Sequence, residues 1–275
     1  MLSFPNAKLN LGLYVTARRP DGYHELETVF LPLPWNDALE VLPAPKGQVA
    51  ANLTLTGRPI PGEAATNLCL RAYELLKADF AALPAMQLHL HKIVPIGAGL
   101  GGGSADAAFA LRAIAEVGGL PLTTAQLESY ARRLGADCAF FMENTPRLAR
   151  GKGDIFEPID LNMRGTACVV VYPNLHISTA QAFAGIVPQA PAYPLREALA
   201  QPMSSWRTTV SNDFEAALAP TFPVLNNIKN LLYNAGAGYA SLSGSGSAVY
   251  ALFPDRPEAP ALPWPAEYLV WRGLL

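Results

Sequence analysis

A chain of 275 residues is longer than one small core usually fills, so two domains or one large one is expected. Hydrophobic residues make up 51% and charged residues 15%, which allows a sizeable core and excludes a globally disordered chain. A formal net charge of −2 excludes an overall basic surface for nucleic acid or anionic lipid, and the longest basic cluster is only Arg132-Arg133.

Cys69, Cys138 and Cys168 are odd in number and widely spaced, which favours buried reduced thiols over a disulfide framework or a zinc site. No apolar signal segment opens the chain, and no run approaches the ~20 apolar residues of a membrane span. A cytoplasmic protein with no membrane partner is expected.

The first third reads as strands. Leu9, Leu11, Leu13 and Val15 alternate with other residues, and Arg19-Pro20-Asp21-Gly22 supplies turn chemistry before an apolar stretch from His24 to Leu33. Ala38 to Leu42 and Ala51 to Thr56 follow as strands, and Thr66-Asn67 opens a helix carrying Leu68, Ala72, Leu75 and Leu76. Met86 to His91 alternates strictly, predicting a half-exposed antiparallel strand. His89 and His91 share its polar face and imitate metal ligands; without a third ligand, a solvated face is the better reading. Helices are predicted over Ser104–Val117, Thr124–Leu134, Ser178–Ile186 and Phe222–Asn234. Strands are predicted over Ala167–Tyr172, Tyr239–Leu242, Ala248–Phe253 and Tyr268–Trp271, the last after a proline-rich connection. The glycine pair in Arg150-Gly151-Lys152-Gly153 is the expected boundary, giving halves 1–153 and 154–275 of an α+β protein.

The central signal is Pro95-Ile96-Gly97-Ala98-Gly99-Leu100-Gly101-Gly102-Gly103-Ser104-Ala105-Asp106, running straight into a helix. Glycines let backbone N–H groups converge on a polyphosphate, and a helix start points its free N–H groups at the same place. A flexible loop before a helix is the plainer alternative. Gly97, Gly99 and Gly102 also match the dinucleotide pattern, but the preceding strand alternates and no acidic residue ends a second strand ~20 residues on. No Lys-Ser/Thr pair follows the glycines, which excludes a P-loop.

Together with two further motifs, this loop resembles the superfamily named for galacto-, homoserine, mevalonate and phosphomevalonate kinases. Pro5-Asn6-Ala7-Lys8-Leu9-Asn10-Leu11 is similar to its first motif, and Ser241-Leu242-Ser243-Gly244-Ser245-Gly246-Ser247 to its third. The resemblance implies two α+β halves, the first like a ribosomal protein domain and the second ferredoxin-like. It also implies ATP held by Pro95, Gly97, Gly99, Leu100, Gly101, Gly102, Gly103, Ser104, Ser243 and Gly244.

Arg19-Pro20-Asp21-Gly22-Tyr23-His24, Leu134 to Phe141, Asn212-Asp213-Phe214-Glu215 and Ser178-Thr179 through Phe183 narrow the resemblance. They are similar to the members that phosphorylate a cytidine diphosphate-linked alcohol in non-mevalonate isoprenoid synthesis. That implies Tyr23, His24 and Phe183 around the cytosine, Asn10 orienting substrate, and Asp137 as the base on the hydroxyl with Lys8 beside it. Burial alone makes a similar demand, because an ammonium at Lys8 and a carboxylate in the apolar run Ala136–Met142 each need a partner. Mg²⁺ is implied by ATP, with Ser104 as candidate hydroxyl near the metal or β-phosphate. Cys138 and Ala139 follow the aspartate where the family has a small apolar residue and proline, and Leu242 stands where methionine is commoner. Another kinase of the superfamily, or a non-catalytic module on the same fold, stays open at this point.

Overall fold

The structure is a computed structural model that describes residues 1–63 and 66–275. It begins with β1 (Leu2–Ser3), β2 (Asn6–Arg18), β3 (His24–Asn36), β4 (Ala38–Pro43) and β5 (Asn52–Gly57), then α1 (Leu68–Asp79) and β6 (Met86–Lys92). Next come α2 (Gly102–Val117), α3 (Thr124–Leu134), a 3-10 turn over Ala136–Ala139, α4 (Phe140–Glu143), β7 (Arg147–Arg150), β8 (Ile155–Pro158) and β9 (Ala167–Tyr172). The remainder is α5 (Thr179–Ala184), α6 (Leu195–Leu199), α7 (Met203–Thr209), α8 (Asp213–Leu218), α9 (Pro223–Asn234), β10 (Tyr239–Leu242), β11 (Val249–Phe253) and β12 (Leu269–Leu274).

Two compact units share the chain. Met1–Ala7, Trp35–Ile96 and Gly101–Thr145 form the first; Lys8–Pro34, Gly97–Leu100 and Pro146–Leu275 form the second. The expected halves 1–153 and 154–275 divide the chain by sequence, whereas the compact units exchange segments several times before Gly153. The physical reason is the length of β2 and β3, 13 residues each, which gives both strands residues in both units.

In the first unit the sheet runs β1-β4-β6-β5. The alternation of β6 is realised: Met86, Leu88 and Leu90 are buried, while His89 and His91 face solvent and share the Thr56 hydroxyl. The expected antiparallel pairing holds toward β4, but β5 pairs with β6 in parallel. The intervening α1 supplies the crossover that parallel neighbours require. It begins where Asn67 accepts the Cys69 N–H with its side chain. α2 is almost wholly buried through Ala105, Ala107, Ala108, Leu111 and Ile114, and packs on α1 and β4. α3 starts in a capping box made by Thr123 and Gln126.

The second unit holds two sheets, β2-β3-β7-β8 and β10-β11-β9-β12. The β2–β3 turn is closed by Gly22 N–H to Arg19 O (3.1 Å) and Arg19 N–H to Tyr23 O (2.8 Å), as the Pro-Asp-Gly chemistry predicts. Val169, Val171, Val249, Ala251 and Phe253 of the second sheet form a core with Leu13, Phe214, Ile228 and Leu232. Each buried Val, Leu, Ile or Phe side chain there contributes about 1.5–3 kcal/mol relative to exposure. The predicted terminal strand extends to Leu274 because β12 pairs along the whole of β9.

Candidate active site

β2 carries Lys8 and Asn10 two residues apart, hence on one face of the strand. Lys8 is 4% exposed, its N–H donates to Leu100 O (2.9 Å), and its Nζ donates to Asn10 Oδ1 (2.5 Å). The ammonium also lies 4.8 Å from the Phe30 ring centroid. Asn10 Nδ2 donates to Thr28 Oγ1 (3.0 Å), which donates to Gly12 O (2.5 Å). The Asn10 amide is thus committed on both sides, to Lys8 and to Thr28.

The third motif braces the glycine loop. Ser243 Oγ donates to Gly99 O (2.9 Å) and accepts the Asn10 N–H (3.3 Å), while Ala248 N–H donates to Ala98 O (3.1 Å). Gly99 has φ +78°, and a Cβ there would run into the Ser243 carbonyl. A side chain is excluded at that point on two grounds at once. The motif is fixed in turn by Asn212, whose Nδ2 donates to Leu242 O and Gly244 O at 2.9 Å each, and by Glu215, which accepts from Ser241 Oγ and Leu242 N–H at 2.8 Å each. Sequence reasoning used the Asn212–Glu215 stretch only as a resemblance; its work as a brace spans loops far apart in the chain.

In the first unit, Pro95 is buried and Gly101 (φ +68°) is the residue before α2, with no side chain to cap it. The first N–H groups of α2, from Gly102, Gly103 and Ser104, are those of a helix start without a protein cap, a ready anion site. A Cβ on Gly103 would meet nothing within 4 Å, so the cradle is not plugged there. Asp137 is half-buried in the 3-10 turn that leads into α4. Sequence reading took Ala136–Met142 as an apolar run; it is helical throughout, and Phe140, Phe141 and Met142 anchor it in the core.

Cys138 sits beside Asp137, and burial pushes its thiol up to about 11, with a hydrogen bond from Ser104 pulling the other way. Burial also raises the thiols of Cys69 and Cys168. All three cysteines are free and buried. Burial of this kind leaves little thiolate at a given pH. In native protein at pH 8 none of the three should react with a disulfide reagent at the rate of free cysteine, and all three should react after denaturation. A fast thiol in the native state would show that its segment opens.

His24 stacks on Phe183, ring centroids 4.5 Å apart and planes at 19°, and Phe183 meets Phe214 edge-on at 4.9 Å. Tyr23 does not join them. Its exposed ring lies under Lys152, with Nζ 4.7 Å from the centroid. Adjacent residues at a strand start point apart, and these two go to separate partners.

A buried ion cluster went unread in the sequence. Lys92 Nζ bonds Asp37 Oδ2 and, at 2.7 Å, Asp106 Oδ2; its three members are at most 4% exposed. Burial pushes the Asp106 carboxyl up to about 7, opposed by Lys92 and reinforced by Asp37, and its Oδ1 has no hydrogen-bond partner. Strand alternation offers a signal in hindsight, since Lys92 falls on the buried parity of β6 with Met86, Leu88 and Leu90. Among the described residues, no three His, Cys, Asp or Glu side chains gather as a metal site, and no helix is long and apolar enough to cross a membrane.

Comparisons with known proteins place the chain in a class of kinase. The family model described as GHMP kinases N terminal domain matches residues 67–144, and that described as GHMP kinases C terminal matches 194–262. These matches lie on either side of Gly153. A 4-diphosphocytidyl-2-C-methyl-D-erythritol kinase of Bacteroides thetaiotaomicron is 46% identical over 275 residues, all of both chains. One from Bacteroides fragilis is 49% identical over 253 residues, 92% of each chain. The crystal structure of a 4-(cytidine 5'-diphospho)-2C-methyl-D-erythritol kinase is 34% identical with a TM-score of 0.77, covering 92% of this chain and 90% of its own. A mevalonate kinase structure, at 10% identity and TM-score 0.74, shares the fold. The chain belongs to the GHMP kinases, and within them to the 4-diphosphocytidyl-2-C-methyl-D-erythritol kinase family.

Proposed function

We propose that the protein transfers the γ-phosphoryl group of ATP to the 2-hydroxyl of 4-diphosphocytidyl-2-C-methyl-D-erythritol, in the cytoplasm, as a step of non-mevalonate isoprenoid synthesis. The observation that carries this reading is near-full-length likeness to kinases of that name. The residues fit it. Gly97, Gly99, Leu100, Gly101, Gly102, Gly103, Ser104, Ser243 and Gly244 serve the nucleotide phosphates through backbone N–H groups and the uncapped start of α2, and Pro95, which has no N–H, shapes the entry to the loop.

Asp137 accepts the proton of the attacking hydroxyl; its oxygen bonds the γ-phosphorus as the bond to the β-phosphate oxygen breaks and ADP leaves. Lys8 offsets the negative charge that builds on the transferring group. Asn10 holds the Lys8 ammonium, and touches substrate by exchanging one of its two present bonds. Mg²⁺ would neutralise the phosphates when bound, and the Ser104 hydroxyl is the protein's candidate ligand for it.

The cytosine is taken by the His24–Phe183 pair, with Tyr23 swinging from Lys152 to cover it. Aromatic pairs add about 0.5–1.5 kcal/mol beyond area burial, so Phe183→Ala should raise KM for the cytidylyl substrate about tenfold and leave KM for ATP unchanged. Equal rises in both constants would remove Phe183 from the base site. The deciding assay couples ADP release to the cytidylyl alcohol, mevalonate and homoserine side by side. Turnover of mevalonate or homoserine at the same efficiency, or no competition by cytidine nucleotides, would sink the substrate assignment.

A further inference from the structure

The Lys92 cluster lies at neither end of the reaction just described, yet it touches both flanks of the phosphate loop. On the incoming side, Asp37 Oδ1 accepts the N–H groups of Ile93 (2.5 Å) and Val94 (2.8 Å), the residues that lead β6 into Pro95. On the outgoing side, Asp106 stands one turn into α2 and its Oδ2 accepts from Lys92 Nζ (2.7 Å). Lys92 Nζ joins the two carboxylates. The Asp37 N–H donates to Pro5 O (2.9 Å), tying the same cluster to the first residue of the first motif.

The ammonium also runs directly beneath the loop's exit. A Cβ built on Gly102 would stand 3.0 Å from Lys92 Nζ and 3.1 Å from Val94 Cγ1. Gly102 has ordinary helical backbone, so its lack of a side chain answers to space: the helix start comes down onto Lys92.

Stability alone does not account for such a cluster. Well-packed apolar residues of similar volume hold buried elements together as well as a buried ion group or better. What the charges add is direction. Bonds to the two consecutive N–H groups that follow β6 and to one helix carboxylate fix where β6 ends and how α2 is turned about its axis.

We infer that Lys92, through Asp37 and Asp106, is a positioning residue for nucleotide binding: it holds both flanks of the phosphate loop in the register that aims the start of α2 at the polyphosphate. This rests on the reading that the loop binds nucleotide.

The test measures affinity for ADP with Mg²⁺ and for CDP by calorimetry, with thermal melting alongside, in full-length Lys92→Met and Asp106→Asn. Lys92→Met is expected to lose at least ~10-fold in ADP affinity with CDP affinity within about twofold, since misaimed backbone donors forfeit that much without touching the other site. Asp106→Asn keeps an oxygen for Lys92 but weakens the helix flank, and should lose about threefold for ADP alone. ADP affinity within about twofold of the unaltered protein in the folded variants overturns the inference, as does a parallel fall in both affinities. Should Lys92→Met fail to fold, Asp106→Asn decides by the same criteria. Unaltered protein that binds no ADP overturns the loop reading and this inference with it. If it binds ADP but leaves the cytidylyl alcohol unphosphorylated, only the substrate assignment falls, and the variants' ADP affinities still decide.

Discussion

Asp137→Asn lowers turnover by at least ~10²-fold while nucleotide still binds, the scale expected when a general base loses its proton-accepting form. The substitution is nearly isosteric, and the segment it sits in is anchored elsewhere, by Phe140, Phe141 and Met142 in the core. The amide therefore changes the chemistry at that position and leaves the fold in place. Single-turnover phosphoryl transfer, read beside calorimetric binding of ADP, separates the two. Near-normal turnover would remove Asp137 from the reaction.

Gly99→Ala has the second large effect, and for a different reason. An alanine at φ +78° costs about 1–2 kcal/mol in backbone conformation alone. Its Cβ would also meet the Ser243 carbonyl, a backbone atom that no rotamer change moves aside. The loop must shift, and Ser243 loses its grip on Gly99 O. We expect kcat/KM for ATP to fall at least ~10²-fold, as misplacement near 1 Å does elsewhere, together with a lower Tm. Gly103→Ala is the contrast, because open space surrounds that position. It should leave Tm unchanged and weaken only ATP. A Gly99→Ala protein with unaltered Tm and ATP kinetics would show that Ser243 does not brace the loop.

What the sequence made legible was local. The glycine loop and the helix behind it stood out because entropy-costly residues ran into a strong helix former, and β6 stood out by parity. The pairing of Lys8 with Asp137 follows from burial cost and from resemblance. What could not be read was non-local. Lys92 is 55 residues from Asp37 and 14 from Asp106, and no spacing rule links an ammonium to carboxylates at a distant strand junction and on a following helix. The interleaving of the two units escaped for the same reason: β2 and β3 look like ordinary strands until their full length is seen. The short helix α4 was hidden because an apolar run of a few residues suits strand and helix equally.

Ser243 and Gly99 lie 144 residues apart, and the other strut of that brace, Ala248, comes later still. Synthesis proceeds from the N-terminus, so for most of translation the growing chain carries the glycine stretch without the strands that hold it. Ribosome-bound fragments ending before Ser241 should fail to retain an immobilised ADP resin, and competence should appear abruptly once β10 and β11 have emerged.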